Sequence, residues 1–211
     1  MLFRSLVIEN CSSGGMRADY ALLSRLQIQS TSDQQDFCRY PVIAASAPAG
    51  MTPEQAGVWA YPQPGFSPDE IALTLCNALL GRIHLSGHLD RMSEQQREQV
   101  ARAVQVYKQI RPEIAAGLPF WPLGLPRWDD PWVALGIRAP GRSYIAVWHR
   151  GDDDAGDATA ILPIAHLRGT AATSVIMFSG PGAVSAQWDA GAGTLSVSLP
   201  SPPAACLVAL R

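Results

Sequence analysis

Four times in its first 112 residues the chain runs a short apolar stretch into a helix-forming one, and this alternation narrows the fold more than any other feature. The apolar stretches are Leu6-Val7-Ile8, Leu26-Gln27-Ile28-Gln29-Ser30, Val58-Trp59-Ala60-Tyr61 and Ile83-His84-Leu85-Ser86-Gly87. Each is three to five residues long and reads as a strand. After the first, a helix is expected from about Asp19 to Arg25, with Tyr20, Leu22 and Leu23 available for its inner side. Ser67-Pro68-Asp69-Glu70 has the form of a helix start, with a hydroxyl at the N-cap, proline at the first helical position and a carboxylate at the third. Ser93-Glu94-Gln95-Gln96 opens another helix, expected to reach about Ile110 before Pro112. Strands that alternate with helices through short joins are parallel, because a parallel neighbour needs a crossover.

Beyond Pro112 the pattern changes. Gly, Pro, Trp and β-branched residues dominate, and five segments read as short strands: 132–138, 143–150, 172–178, 194–199 and 205–210. Turn clusters such as Gly151-Asp152-Asp153-Asp154-Ala155-Gly156 separate them, which fits an antiparallel sandwich. The expected division is residues 1–112 for the βα part and 113–211 for the sandwich.

Composition excludes several classes. At 47% hydrophobic and 16% charged, the chain has the make-up of a folded globular protein. A net charge of −2 and a pI near 6.1 offer no basic surface for nucleic acid. No window approaches the roughly 18 apolar residues of a membrane span, and the opening residues lack the form of a signal peptide. The expectation is a cytoplasmic protein without nucleic-acid or membrane partners. Cys11, Cys38, Cys76 and Cys206 form no Cys-x-x-Cys pair, so reduced thiols are expected rather than a zinc site or disulfide framework. His84 and His88 lack a third ligand at useful spacing, and Asp152-Asp153-Asp154 lacks the alternation of a calcium loop. Neither metal nor organic cofactor is expected.

The residues at the ends of the first two strands carry the chemistry. They read Glu9-Asn10-Cys11-Ser12-Ser13-Gly14-Gly15-Met16-Arg17-Ala18-Asp19 and Ser30-Thr31-Ser32-Asp33-Gln34-Gln35-Asp36. Taken alone, the first is a tight turn before a helix and the second a helix cap, with Asp36 hydrogen-bonding locally. Together they resemble the retaining α-galactosidases of glycoside hydrolase family 36, which carry a Cys-x-x-Gly-Gly/Gly-Arg-x-Asp loop on one barrel strand and a Thr-Ser-Asp on the next. Leu85-Ser86-Gly87-His88-Leu89-Asp90 is similar to the end of that family's last barrel strand.

The resemblance implies α/β plus all-β architecture: the second half of a (β/α)8 TIM barrel, followed by a C-terminal antiparallel β-sandwich. It makes Asp33 the general acid/base and places Cys11 and Gly14, with Arg17, at the galactose pocket as substrate-binding residues. Arg17 and Asp19 read equally as a pair behind that pocket or as a surface Arg beside a helix-start Asp. The implied reaction is retaining hydrolysis of terminal α-linked galactose, which takes two carboxyl groups about 5–5.5 Å apart. The family's nucleophile lies in a Lys-x-Asp, and this sequence contains none. Ser30 stands where many members have a Trp packed on the sugar, Gln34 replaces a common second acid, and His88 an Asp. Trp59 or Gln63 could take over part of the sugar contact, with core packing the expected role of Trp59. Trp121, Trp128 and Trp132 are expected to pack between the two parts.

Four βα units leave a barrel's interior and two sheet edges open. The expectation is an incomplete chain that self-associates or meets a missing N-terminal half and is inactive alone. A non-catalytic carbohydrate-binding or structural remnant, or a transglycosylating relative, would share the same residues.

Overall fold

The computed structural model describes residues 5–11, 14–150 and 158–211. Its first part is a parallel sheet of β1 (Glu9–Asn10), β2 (Ile28–Ser30), β3 (Ala56–Ala60) and β4 (Arg82–Leu85), side by side in chain order. The connecting helices are α1 (Tyr20–Leu23), α2 (Tyr40–Ser46) and α3 (Pro68–Leu79), and α4 (Glu94–Ile114) follows β4. Both expected helix starts form complete capping boxes, Ser67 with Glu70 and Ser93 with Gln96.

Three local expectations are corrected. Leu6-Val7-Ile8 is not the first strand: regular pairing begins at Glu9, and Leu6 and Val7 are 57% and 59% exposed. Among the described residues β1 is an outer strand, so this apolar run has nothing to pack on. The first helix is a single turn in which Asp19 accepts the N–H of Leu22, and Tyr20 faces solvent rather than the inner side. Helix α4 runs through Pro112 to Ile114. Proline removes one donor near the helix end, while Ile110 and Ile114, both buried, hold the last turns against the core.

The second part contains β5 (Leu118–Phe120), β6 (Trp132–Ala139), β7 (Arg142–His149), β8 (Thr159–Pro163), β9 (Ser174–Ser179), β10 (Ser185–Asp189), β11 (Thr194–Ser198) and β12 (Ala204–Leu210). Two antiparallel sheets form, ordered β5-β6-β7-β12-β9 and β10-β11-β8. The strands β5, β8 and β10 were not among the five expected. In β10 the sequence Ser-Ala-Gln-Trp-Asp has no apolar run, and pairing with β11 alone makes it a strand. The turn at Gly151–Gly156 and its three aspartates lie outside the described residues.

The five-stranded sheet is covered on both faces, which explains its continuous apolar strands. Every residue of β12 is buried. Ile145, Val147, Cys206 and Val208 face Leu162, Leu195 and Val197 of the smaller sheet. On the opposite face Leu135, Tyr144, Trp148 and Leu207 join a core with α3, whose residues Ile71 to Leu79 are all buried. A helix buried on all sides fits only between two layers, here the parallel sheet and the sandwich. Trp121 ties the layers as expected, its indole N–H donating to the Ala45 carbonyl at 2.7 Å. Trp132 instead stacks on His149 within the sandwich, and Trp128 is largely exposed beside Arg39.

The parallel sheet is curved. Glu9 on β1 and His84 on β4 come within 3.7 Å although two strands separate them. Three strand spacings of about 4.8 Å would hold them roughly 14 Å apart on a flat sheet with side chains upright.

Candidate active site

Parallel strands deliver their carboxyl ends, and the loops after them, to one rim of the sheet. Cys11 is the first residue after β1, Asp33 the third after β2 and Tyr61 the first after β3. The loop after β1 is seated by Asn10, whose amide donates to the Arg17 carbonyl at 2.9 Å and to the Gln29 side chain at 2.6 Å. Gly14 then turns into the left-handed region at φ +65° and comes close enough to the next loop that a Cβ would stand 3.2 Å from the Ser32 Cα. At Gly15 a Cβ would meet the Thr31 carbonyl at 3.1 Å. The glycine pair lets the two loops lie backbone against backbone.

That approach carries a hydrogen bond to the expected acid/base. The Gly14 N–H donates to Asp33 Oδ2 at 3.0 Å. Asp33 is exposed, and its Oδ1 has no hydrogen-bond partner among the described residues. One oxygen is held, and the side chain as a whole is open to solvent. The helix-cap reading of Asp33 is not what the structure shows, since α2 begins only at Tyr40 and its N-cap is Arg39. Asp36 accepts the Cys38 N–H at 2.9 Å and the Arg39 N–H at 3.2 Å and pairs with the Arg39 guanidinium, so the local role expected of it is present.

Behind Asp33 the loop is anchored by buried polar groups. The Thr31 hydroxyl donates to the Gly57 carbonyl and meets the Tyr40 phenol at 2.9 Å, and Tyr40 also accepts the Trp59 N–H at 3.1 Å. Burial is the main cause that pushes the Tyr40 phenol above its ordinary value. At the far end of the loop Arg150 of the sandwich donates to the carbonyls of Cys38, Asp130 and Trp128.

Of the four site residues expected from the sequence, Cys11, Gly14 and Asp33 gather on this rim. Cys11 is exposed, Gly14 is buried against the Asp33 loop, and the Arg17 side chain is exposed with only its carbonyl engaged. Ser12 and Ser13 lie outside the described residues. Sequence reasoning missed Tyr61, which it treated as the end of a strand. Burial first, then the nearness of the Asp33 carboxylate and the Cys11 thiol, push its phenol above the usual value. Its position straight after a strand, matching Cys11, was the available signal. His84 pairs with Glu9 and lies edge-on to Trp59 at 4.9 Å, and no group of three metal-type ligands occurs among the described residues.

Comparison of whole folds finds this fold within glycoside hydrolases of known structure. In particular, the chain shares its fold with part of the glycoside hydrolase family 36 α-galactosidases. The galactosidase domain of the α-galactosidase–sucrose kinase AgaSK superposes with a TM-score of 0.79 at 18% identity, over 99% of this chain and 29% of its own. A variant of α-galactosidase AgaA from Geobacillus stearothermophilus in complex with raffinose gives 0.77 at 16% identity, over 99% and 29%. The α-galactosidase from Lactobacillus brevis gives 0.67 at 16% identity, over 91% and 29%. The chain thus spans less than a third of these enzymes' length. No family model matches the sequence, and no curated protein matches it significantly.

Proposed function

We propose that the chain is the acid/base-bearing, C-terminal portion of a retaining α-galactosidase, in which the curved parallel sheet is half of a (β/α)8 barrel and the antiparallel sheets are the sandwich that follows it. The observation that carries the reading is the Gly14 N–H on Asp33 Oδ2 at the carboxyl rim, which joins the two loops of the family-like motif. Asp33 protonates the glycosidic oxygen as it leaves and then activates water, while Cys11, Gly14 and Arg17 border the sugar. In this reading the attacking carboxylate is supplied by barrel strands beyond this chain, which spans 29% of the relatives' length. The substrates are terminal α-galactosides of the kind that AgaA variants hold, raffinose and stachyose.

The test needs a protein that carries the remaining barrel strands. There, Asp33→Gly should slow hydrolysis least for aryl galactosides with good leaving groups, which need little protonation on departure. Added azide should replace base-assisted water and yield an α-galactosyl azide, because the β-linked covalent intermediate inverts a second time. An unchanged leaving-group dependence with no azide product would remove Asp33 from the chemistry. The 211-residue chain alone should hydrolyse p-nitrophenyl α-galactoside no faster than buffer.

A further inference from the structure

We propose that Tyr61, held by Trp59, is the aromatic face on which the galactosyl ring stacks. The proposal rests on the galactoside reading above and adds to it a residue that fixes which sugar is accepted.

Trp59 is engaged on several sides. Its indole N–H donates to the Ser30 hydroxyl at 2.9 Å, its ring stands at 81° to that of His84, and it lies nearly parallel to Tyr61, with centroids 6.0 Å apart and 11° between planes. Ser30 is fully buried, and its small side chain leaves the space the indole crosses. A ring fixed by these contacts sets the plane of the next. Tyr61 is the outer member of the stack: it is half-buried, follows β3 at the rim, and its phenol has no hydrogen-bond partner among the described residues. It follows β3 as Asp33 follows the neighbouring β2 and Cys11 follows β1. The loops after β1, β2 and β3 therefore carry a thiol, a carboxylate and an aromatic ring to the same rim of the parallel sheet.

The sugar chemistry selects the ligand. An axial O4 gathers the hydrogens on C3, C4 and C5 of a galactoside on one face, making an apolar patch of weakly positive C–H groups. That patch complements the negative face of an aromatic ring. A glucoside, with O4 equatorial, has no such patch.

The test uses the 211-residue chain with methyl α-D-galactopyranoside, read by saturation-transfer NMR and titration. The expected result is strongest transfer to H3, H4 and H5 and weaker binding of methyl α-D-glucopyranoside. Tyr61→Phe should bind within about twofold of wild type, and Tyr61→Ser roughly two- to tenfold more weakly. Tyr61→Leu keeps apolar packing on Trp59 without a π face; it should weaken binding like Tyr61→Ser and serves if the serine variant fails to fold. Wild-type affinity and an unchanged epitope in Tyr61→Ser or Tyr61→Leu would overturn the stacking role and leave the galactoside reading standing. Absence of transfer to either sugar in the wild-type chain would overturn the stacking face, while the galactoside reading is decided separately by the Asp33→Gly kinetics in the completed barrel.

Discussion

The backbone N–H of Gly14 and the carboxylate of Asp33 meet at 3.0 Å although nineteen residues separate them. The contact exists because Gly14 adopts φ +65° and has no side chain to strike the Ser32 backbone. Gly14→Ala should therefore cost about 1–2 kcal/mol from the left-handed conformation alone, and more if the two loops part. At roughly 2–4 °C per kcal/mol for a chain of this size, calorimetry should record a lower melting point. A variant that melts with the wild type would show that the loops do not depend on this approach.

The Glu9–His84 pair predicts acid sensitivity. Burial is the first cause that holds the His84 imidazole below its ordinary value, Arg82 acts in the same direction, and Glu9 opposes both. The folded state thus favours neutral His84. Its contribution to stability is present above the unfolded value of about 6.5 and is lost as pH falls through the lower folded value. Melting points measured between pH 7 and 5 should fall less in His84→Gln than in wild type, and more in Glu9→Gln. Parallel curves for all three proteins would contradict this.

At the alkaline end Tyr40 acts with the opposite sign. Its phenol, raised chiefly by burial, favours the protonated form in the fold. That stability is present below about 10 and disappears as pH rises through the raised folded value. Tyr40→Phe should be less stable than wild type at pH 8, having lost the bonds to Thr31 and Trp59, and the difference should shrink above pH 10. A constant difference across this range would exclude the linkage.

Thiol chemistry should separate the four cysteines. Cys11 is exposed, while Cys76 and Cys206 are fully buried in the core, with Cys206 pushed up to about 12 and Cys76 well above its usual value. Thiolate is the reactive form, so iodoacetamide at pH 8 should label Cys11 first and reach Cys76 and Cys206 only on unfolding. Mass spectrometry of digests reads the order. Early labelling of Cys206 would show that the five-stranded sheet opens in the native protein.

Exposed apolar residues near β1 predict association. Leu6, Val7, Met16 and Tyr20 are 57%, 59%, 83% and 81% exposed, and β1 is an outer strand of the described sheet. The 211-residue chain should sediment with concentration-dependent mass, and Val7→Lys should reduce the effect. A single monomeric species at all concentrations would count against it.

Much of this was legible in local sequence. The capping boxes at Ser67 and Ser93 formed as read, because a cap is settled within four residues. Four βα units and the sandwich strands rich in apolar residues followed from short-range pattern. Misreadings fell where the partner is distant in sequence. Leu6-Val7-Ile8 looked like a buried strand, yet burial depends on a neighbour rather than on the run itself. Strand β10 has no apolar signal, and Pro112 looked like a helix end until Ile114 proved to be buried.

The sequence by itself determined the alternation of strand and helix in residues 1–112, the two capping boxes and five of the later strands, since these depend on periodicity and caps within a few positions. Only the tertiary structure decided that Asp33 is held by Gly14 rather than capping α2, that the sheet curves until Glu9 meets His84, and that Trp59 leans on Ser30 and aligns Tyr61. Each of these joins groups on different strands. Their distances are set by sheet register and curvature, which depend on pairing between strands far apart in sequence and leave no local trace in the chain.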